Sequence, residues 1–347
     1  MNSIDPISDP LDQILAEVAI NIQLPPSKYN LGVERYQTMC AWVERADSPL
    51  CGKVARFYPQ GSMAIGTTIA AFGRDEEYDV DLVAELLLPL STDPKKVLEL
   101  LFSAIQGVEG SRYYGRCKLR SRCVTVFYSD GMHIDVTPAV RDEYRRERTS
   151  AIFHDDPDQP DESSKTILMN AWGFCELFKS NTKDVTNSAD AYSARSYAVD
   201  SHFDAEAEPV DPQEDPARKS TDVVAQQLIK RARNTSYAER ALRRPPSILM
   251  AKYASDAARP MSSLSDALLH HLNYLHDQLS EAEERGTLIQ ECNPTCEEDD
   301  FTDTLQAAIT RILDAELPKT SPTVIRPSVM YKYEDEQLES LDDVDKL

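Results

Sequence analysis

Residues 78–83 read YDVDLV, and this short run constrains the fold more than any other part of the chain. A strand places residues i and i+2 on one face, so a strand here points the carboxylates of Asp79 and Asp81 the same way. Two anions held side by side repel, and burial raises the cost of keeping both charged. A cation between them removes the conflict. Upstream, the strand-like run ARFYPQ leads into the turn Gly61-Ser62, and about fifty residues downstream MHIDVTPAV carries a third aspartate in an apolar setting, Asp135.

RCVTVFY-SDG-MHIDVTPAV reads as a hairpin, two β-rich runs around the turn dipeptide Asp130-Gly131. If its second arm lies beside the Asp79–Asp81 strand, three carboxylates converge. Carboxylate-only sites suit Mg²⁺ or Mn²⁺. Two such ions are a recurring device for in-line displacement at phosphorus. Gly61 would let backbone approach a phosphate closely, Ser62 would add a hydroxyl, and a short helix or turn over 63–69 would add N–H donors. Either a DxD or a Gly-Ser alone is weak evidence. The weight lies in the combination: strand, Gly-Ser, a spacer of sixteen residues, DVDLV, then the third aspartate.

Elsewhere the pattern is mostly helical. DPLDQILAEVAINIQL has apolar residues at helical spacing, with Asp9 as N-cap and Pro10 in the first turn. A second helix is predicted over about 27–45, and a third begins at Asp93-Pro94. From about residue 160 the segments KTILMNAWGFCELFKS, STDVVAQQLIKRARN, PPSILMAKYASDA, SLSDALLHHLNYLHDQLSEAEERG and DFTDTLQAAITRILDAEL all read as helices, with a polar loop near 200–220. In HHLNYLH the histidines are expected on the polar side of a helix that buries Leu268, Leu269, Leu272 and Leu275. The fold class predicted is α+β: a mixed-sheet catalytic lobe with N-terminal helices over 1–160, a helical lobe over 161–325 closing a cleft, and an acidic tail over 326–347.

The net charge of −22 argues against a broad nucleic-acid surface but not against nucleotides whose phosphates ride on a metal ion. No apolar run approaches the ~20 residues of a membrane span, and the N-terminus MNSIDPISDP lacks a signal-peptide pattern. A cytoplasmic, membrane-free protein is expected. The seven cysteines are odd in number and scattered, which is no disulfide framework. Cys292 and Cys296 follow His270, His271 and His276, but the spacing matches no common zinc pattern.

YPQGSMAIGTTI, EYDVDLV and MHIDVTPA together resemble the catalytic signature of the bacterial cGAS/DncV-like nucleotidyltransferases, within the DNA polymerase β-type superfamily. The resemblance covers roughly residues 10–315. EPVDPQEDPARKSTDVVAQQLIKRARN, RRPPSILMAKYAS and NPTCEEDDF resemble downstream segments of that family. Ala171 stands where the family often has proline and Ala232 where a histidine is frequent, and FGRDEE lengthens the loop before Asp79.

The resemblance implies a polymerase β-like fold and a cyclic oligonucleotide synthase. Such an enzyme joins nucleoside triphosphates into a cyclic di- or trinucleotide messenger of anti-phage (CBASS) defence. It implies two Mg²⁺ (or Mn²⁺) ions on Asp79, Asp81 and Asp135, triphosphate contacts from Gln60, Gly61 and Ser62, and a phosphate-binding Lys230 from the helical lobe. It also implies regulatory or effector proteins as partners, with no nucleic-acid activator. Two rivals are a linear-product nucleotidyltransferase acting on RNA or protein and a catalytically silent binding module. The acidic surface speaks against RNA, and the presence of all three aspartates speaks against silence.

Overall fold

The computed structural model describes residues 10–70, 78–144, 148–154, 166–183, 206–214, 219–237, 245–261 and 263–285. Two helices open it, α1 (Pro10–Asn21) and α2 (Pro26–Val43). Pro25 and Pro26 break the chain between them, since proline is tolerated only in the first turn of a helix. Then follow β1 (Val54–Gln60), the single-turn helix α3 (Gly61–Ala64), β2 (Tyr78–Leu86), α4 (Pro94–Gln106), β3 (Cys117–Leu119), β4 (Val124–Phe127) and β5 (Met132–Val140). Asp93 caps α4 as its spacing predicts, accepting from Lys95 N at 3.1 Å.

These strands, with β8 (Glu206–Ala207), form one mixed sheet in the order β3-β4-β5-β2-β1-β8. The β4–β5 hairpin turns through Asp130-Gly131, with Gly131 in the left-handed region. Its second arm lies parallel to β2, and β1 pairs with β2 on the other side, antiparallel. One face of the sheet is wholly apolar. Phe57, Val80, Leu82, Ala84, Leu86, Val124, Val126, Ile134 and Val136 pack there against Tyr36, Met39 and Val43 of α2 and Leu98, Leu101 and Ile105 of α4. On the opposite face Tyr58, Val83 and Ala139 meet Met169, Ala171 and Trp172. Beside them run the ion pairs Arg56–Glu85 at 2.9 Å and Arg148–Glu208 at 2.6 Å.

The rest is largely helical: α5 (Ala171–Asn181), α6 (Thr221–Tyr237), α7 (Ser247–Ala257) and α8 (Leu264–Arg285). Three details differ from the sequence reading. Residues 166–169, expected to begin a helix, are instead the strand β7 (Thr166–Met169), paired with β6 (Ser150–Phe153). The helix starts only after Asn170, whose side chain accepts from Gly173 N at 2.7 Å. The expected loop near 200–220 contributes β8 to the sheet edge. In α8, His271 is buried with its Nε2 2.7 Å from Asp222 Oδ1, whereas Leu269 and Leu272 are exposed. A carboxylate partner makes the inward histidine affordable. Ala19 of α1 and Ile22 just after it pack on Val224 and Leu228 of α6, and Asp12 accepts from Ser265 N at the start of α8.

Cys40, Cys123 and Cys175 are buried free thiols, as expected of small apolar side chains. No described helix is long and apolar enough to cross a membrane. The zinc question at Cys292 and Cys296, the last predicted helix and the acidic tail lie outside the described residues.

Candidate active site

Alternation along the strands decides what the polar face carries. Because Leu82 and Ile134 point into the core, Asp81 and Asp135 must point away from it. The register then lines them up. Lys118 of β3 stands opposite Thr125 of β4, Thr125 opposite Asp135 of β5, Asp135 opposite Asp81 of β2, and Asp81 opposite Gln60 of β1. Strands in a sheet lie about 4.8 Å apart, so this is one continuous polar row. The neighbouring row holds Phe127, His133 and Asp79. His133 Nε2 is 3.0 Å from Asp79 Oδ1. Asp135 is buried, whereas the Asp79 side chain is 54 % exposed, so the site opens toward solvent on the side of the Asp79 row.

Like charge dominates the electrostatics. Burial, then Asp135, then Asp79, push the Asp81 carboxyl up to about 8, against an opposing pull from His133 and Arg122. The site as folded is short of positive charge. Its donors are carboxylate oxygens with a carboxamide and hydroxyls alongside, a set that fits a hard divalent cation. Among the described residues no three His, Cys, Asp or Glu side chains are already gathered round one point, and Asp79 leans on His133.

Gly61 is held against this row. Its φ is +67°, and a Cβ there would lie 2.0 Å from Asp81 Oδ2. Only glycine both adopts that conformation readily and leaves room for the carboxylate. Ser62 follows directly, with its Oγ accepting from Thr68 Oγ1 at 3.1 Å and its carbonyl accepting from Thr67 N at 2.9 Å. Gln60 Nε2 donates to Thr137 Oγ1 at 3.2 Å, which keeps its carboxamide beside Asp81 and Asp135.

The structure thus brings Gln60, Gly61, Ser62, Asp79, Asp81 and Asp135 into one neighbourhood. Lys230 lies on α6, half-buried. Two residues that the sequence reading did not single out, Lys219 and Gln227, reach the Gly66 carbonyl in the loop after Ser62, and Arg231, next to Lys230, reaches that of Ala70. His133 was also passed over, although MHIDV places it two residues from Asp135 and therefore on the same face.

Known proteins resemble this chain over the same part of the sequence. The model of the family "cyclic GMP-AMP synthase DncV-like, nucleotidyltransferase domain" matches residues 55–138, the span that holds Gln60–Ser62 and all three aspartates. A second model, of a protein family of unknown function (DUF3014), matches residues 295–347. The chain is 38 % identical over 301 residues to the cyclic dinucleotide synthase CdnG of Bradyrhizobium diazoefficiens, covering 86 % of this chain and 71 % of that protein. It is 25 % identical over 260 residues to a c-di-GMP synthase of Roseivirga ehrenbergii, covering 74 % of this chain and 63 % of that one. The solved structure of the Bradyrhizobium CdnG in complex with GTP superposes with a TM-score of 0.66 at 34 % identity over 89 % of each chain. A CdnE cyclic dinucleotide synthase from Elizabethkingia meningoseptica shares the fold at a TM-score of 0.52 and 11 % identity, over 87 % of this chain and 97 % of that one. With the α+β fold and more than a third of its aligned positions shared along most of a relative's length, the chain belongs to the bacterial cGAS/DncV-like nucleotidyltransferases.

Proposed function

We propose that this protein is a divalent-metal-dependent synthase that joins two nucleoside triphosphates into a cyclic dinucleotide. The observation that carries the reading is the row Gln60–Asp81–Asp135, with Asp79 beside it on an open rim, in a chain related over most of its length to a cyclic dinucleotide synthase. Asp79, Asp81 and Asp135 would hold two Mg²⁺ or Mn²⁺ ions. When bound, such ions activate the attacking oxygen, offset charge on the leaving group and remove the mutual repulsion of the carboxylates.

The remaining work falls to the chain. Gly61 lets the backbone come close to the donor triphosphate, and the Ser62 hydroxyl donates to it. Gln60 lies beside the same phosphates, and Lys230 is the cation proposed to reach them from α6. Asp135 completes the site on the side of the attacking ribose hydroxyl. That hydroxyl gives up its proton to solvent as its oxygen bonds to the α-phosphorus, the bond from that phosphorus to the β-phosphate's bridging oxygen breaks, and pyrophosphate leaves. A second transfer in the same site closes the ring. The product would act as a second messenger in anti-phage (CBASS) signalling in the bacterial cytoplasm, read by a separate effector protein. The acidic composition supports activity without a nucleic-acid activator.

Incubating nuclease-treated protein with the four ribonucleoside triphosphates and Mg²⁺ or Mn²⁺, then with phosphatase, tests this by mass spectrometry. A phosphatase-resistant species with the mass of a cyclic dinucleotide is expected. A ladder of linear oligomers would replace the reading with a polymerase-like one. Strict dependence on added DNA or RNA would overturn the expectation of nucleic-acid independence.

A further inference from the structure

The loop that follows α3 is gripped from outside at three alternate carbonyls. Gly66 O accepts from Lys219 Nζ at 3.0 Å and from Gln227 Nε2 at 3.4 Å. Thr68 O accepts from Gln227 Nε2 at 2.8 Å, and Ala70 O accepts from Arg231 Nη2. Gln227 is 0 % exposed. Its Oε1 accepts from Gln23 Nε2 at 3.0 Å, and Gln23 Oε1 accepts in turn from Lys219 Nζ at 2.9 Å. Gln23 also bridges to Ile69 through the backbone. Two carboxamides and an ammonium, drawn from two distant parts of the sequence, therefore close a polar network on one loop.

Apolar contacts already hold these elements together, because Ala19, Ile22, Ile69, Val224 and Leu228 pack as one cluster. A buried polar network adds little net cohesion beyond that and costs much if any member is left unsatisfied. Burial even holds the Lys219 ammonium down to about 8. What such a network supplies is exact placement of the loop backbone.

The loop carries the groups that orient Ser62. Thr68 Oγ1 donates to Ser62 Oγ, which fills one lone pair and leaves the Ser62 O–H to donate elsewhere. We propose that Gln227, supported by Gln23 and Lys219, is a positioning residue that acts through Thr68 to aim the Ser62 hydroxyl at the triphosphate of the bound nucleotide. This rests on the site reading given above and adds the device that presets it.

Steady-state kinetics on Gln227→Met, Lys219→Met, Thr68→Val, Ser62→Ala and the Gln227→Met/Thr68→Val double variant test the proposal. Gln227→Met should raise KM for the nucleoside triphosphate about tenfold while kcat stays within about threefold. The double variant should be no worse than the poorer single one, because both cut the same path. Lys219→Met, at the partly exposed end of the network, should raise KM in the same manner and to a smaller extent, which keeps the test decisive if Gln227→Met does not fold. Unchanged KM in Lys219→Met and Gln227→Met, with only a lower melting temperature, would overturn the proposal. So would fully additive losses in the double variant. If Ser62→Ala raises KM and the other variants do not, the network alone fails. If Ser62→Ala leaves KM at the wild-type value, the assignment of Ser62 fails and the positioning role falls with it.

Discussion

The two faces of β2 and β5 are made from alternate residues of the same strands, yet they do opposite things. Val80, Leu82, Ile134 and Val136 are locked into the apolar layer against α2 and α4. Asp79, Asp81, His133 and Asp135 are interleaved with them and face the other way, where like charges crowd. The contrast shows how a strained electrostatic arrangement persists in a marginally stable chain. Tight packing on one face fixes the strands in register, and that register forces the carboxylates together on the other. The core face offsets the repulsion that the site face carries.

Single substitutions can break this division of labour. Asp81→Asn keeps the shape of the side chain and removes a charge proposed to bind metal. Activity should fall by ~10³-fold or more, while circular dichroism and the metal-free melting temperature show an intact fold. Its neighbour on the opposite face should do the reverse. Leu82→Ala opens a cavity in a fully buried layer and should cost about 3–5 kcal/mol in denaturant unfolding. The activity per folded molecule at low temperature should stay near wild type. An unfolded Asp81→Asn, or a Leu82→Ala that kills activity without losing stability, would mean that the two faces are not separable.

Gly61→Ala sharpens the comparison at the place where backbone meets the site. The added Cβ would come within 2.0 Å of Asp81 Oδ2, and the residue would sit at φ +67°. The left-handed conformation costs an L-residue about 1–2 kcal/mol, a modest loss of stability. Displacement of Asp81 should lower activity by ~10²-fold. A variant equal to wild type in turnover would show that the tight contact is dispensable.

The smallest effect is one of pH. In the metal-free protein Asp81 has its pKa raised to about 8 from an ordinary 3.8. Between these values the folded state holds a proton that the unfolded chain has released. The contribution of this group to stability is therefore fully present below about 4 and is lost as pH rises through 8. A divalent cation binds the deprotonated form, so the rise in melting temperature on adding Mn²⁺ should grow from pH 6 to pH 8. Asp81→Asn should flatten that trend. An equal metal effect at both pH values in the wild type would contradict it.

Much of this arrangement was legible in the sequence because it depends on short-range periodicity. DVDLV and MHIDV fix which residues share a face, Asp130-Gly131 fixes the hairpin, and Gly61-Ser62 ends the strand before the site. The exact partner of Asp81 was not legible. Asp135 stands opposite it only because β5 runs parallel to β2 after a crossover through α4, β3 and β4, and the strand order of a mixed sheet is a long-range property. The helical side was harder still. The resemblance pointed to Lys230 on this side, whereas the groups seen to bind the loop carbonyls include Gln227, a neutral carboxamide that reads like any polar helix residue. His271 turned inward because Asp222, far away in sequence, provides its partner. Thr166–Met169 became a strand because Ser150–Phe153 was there to pair with it, a tertiary choice over a segment whose own pattern was ambiguous.

The most direct test of the central claim is anomalous scattering from crystals of the protein soaked with Mn²⁺ and a non-hydrolysable nucleoside triphosphate. The account predicts two manganese positions on the polar face of the sheet, with Asp79 and Asp81 bound to both and Asp135 to one, and with Asp79 swung away from His133. Manganese bound elsewhere, or Asp79 still paired with His133 beside an ordered triphosphate, would contradict it.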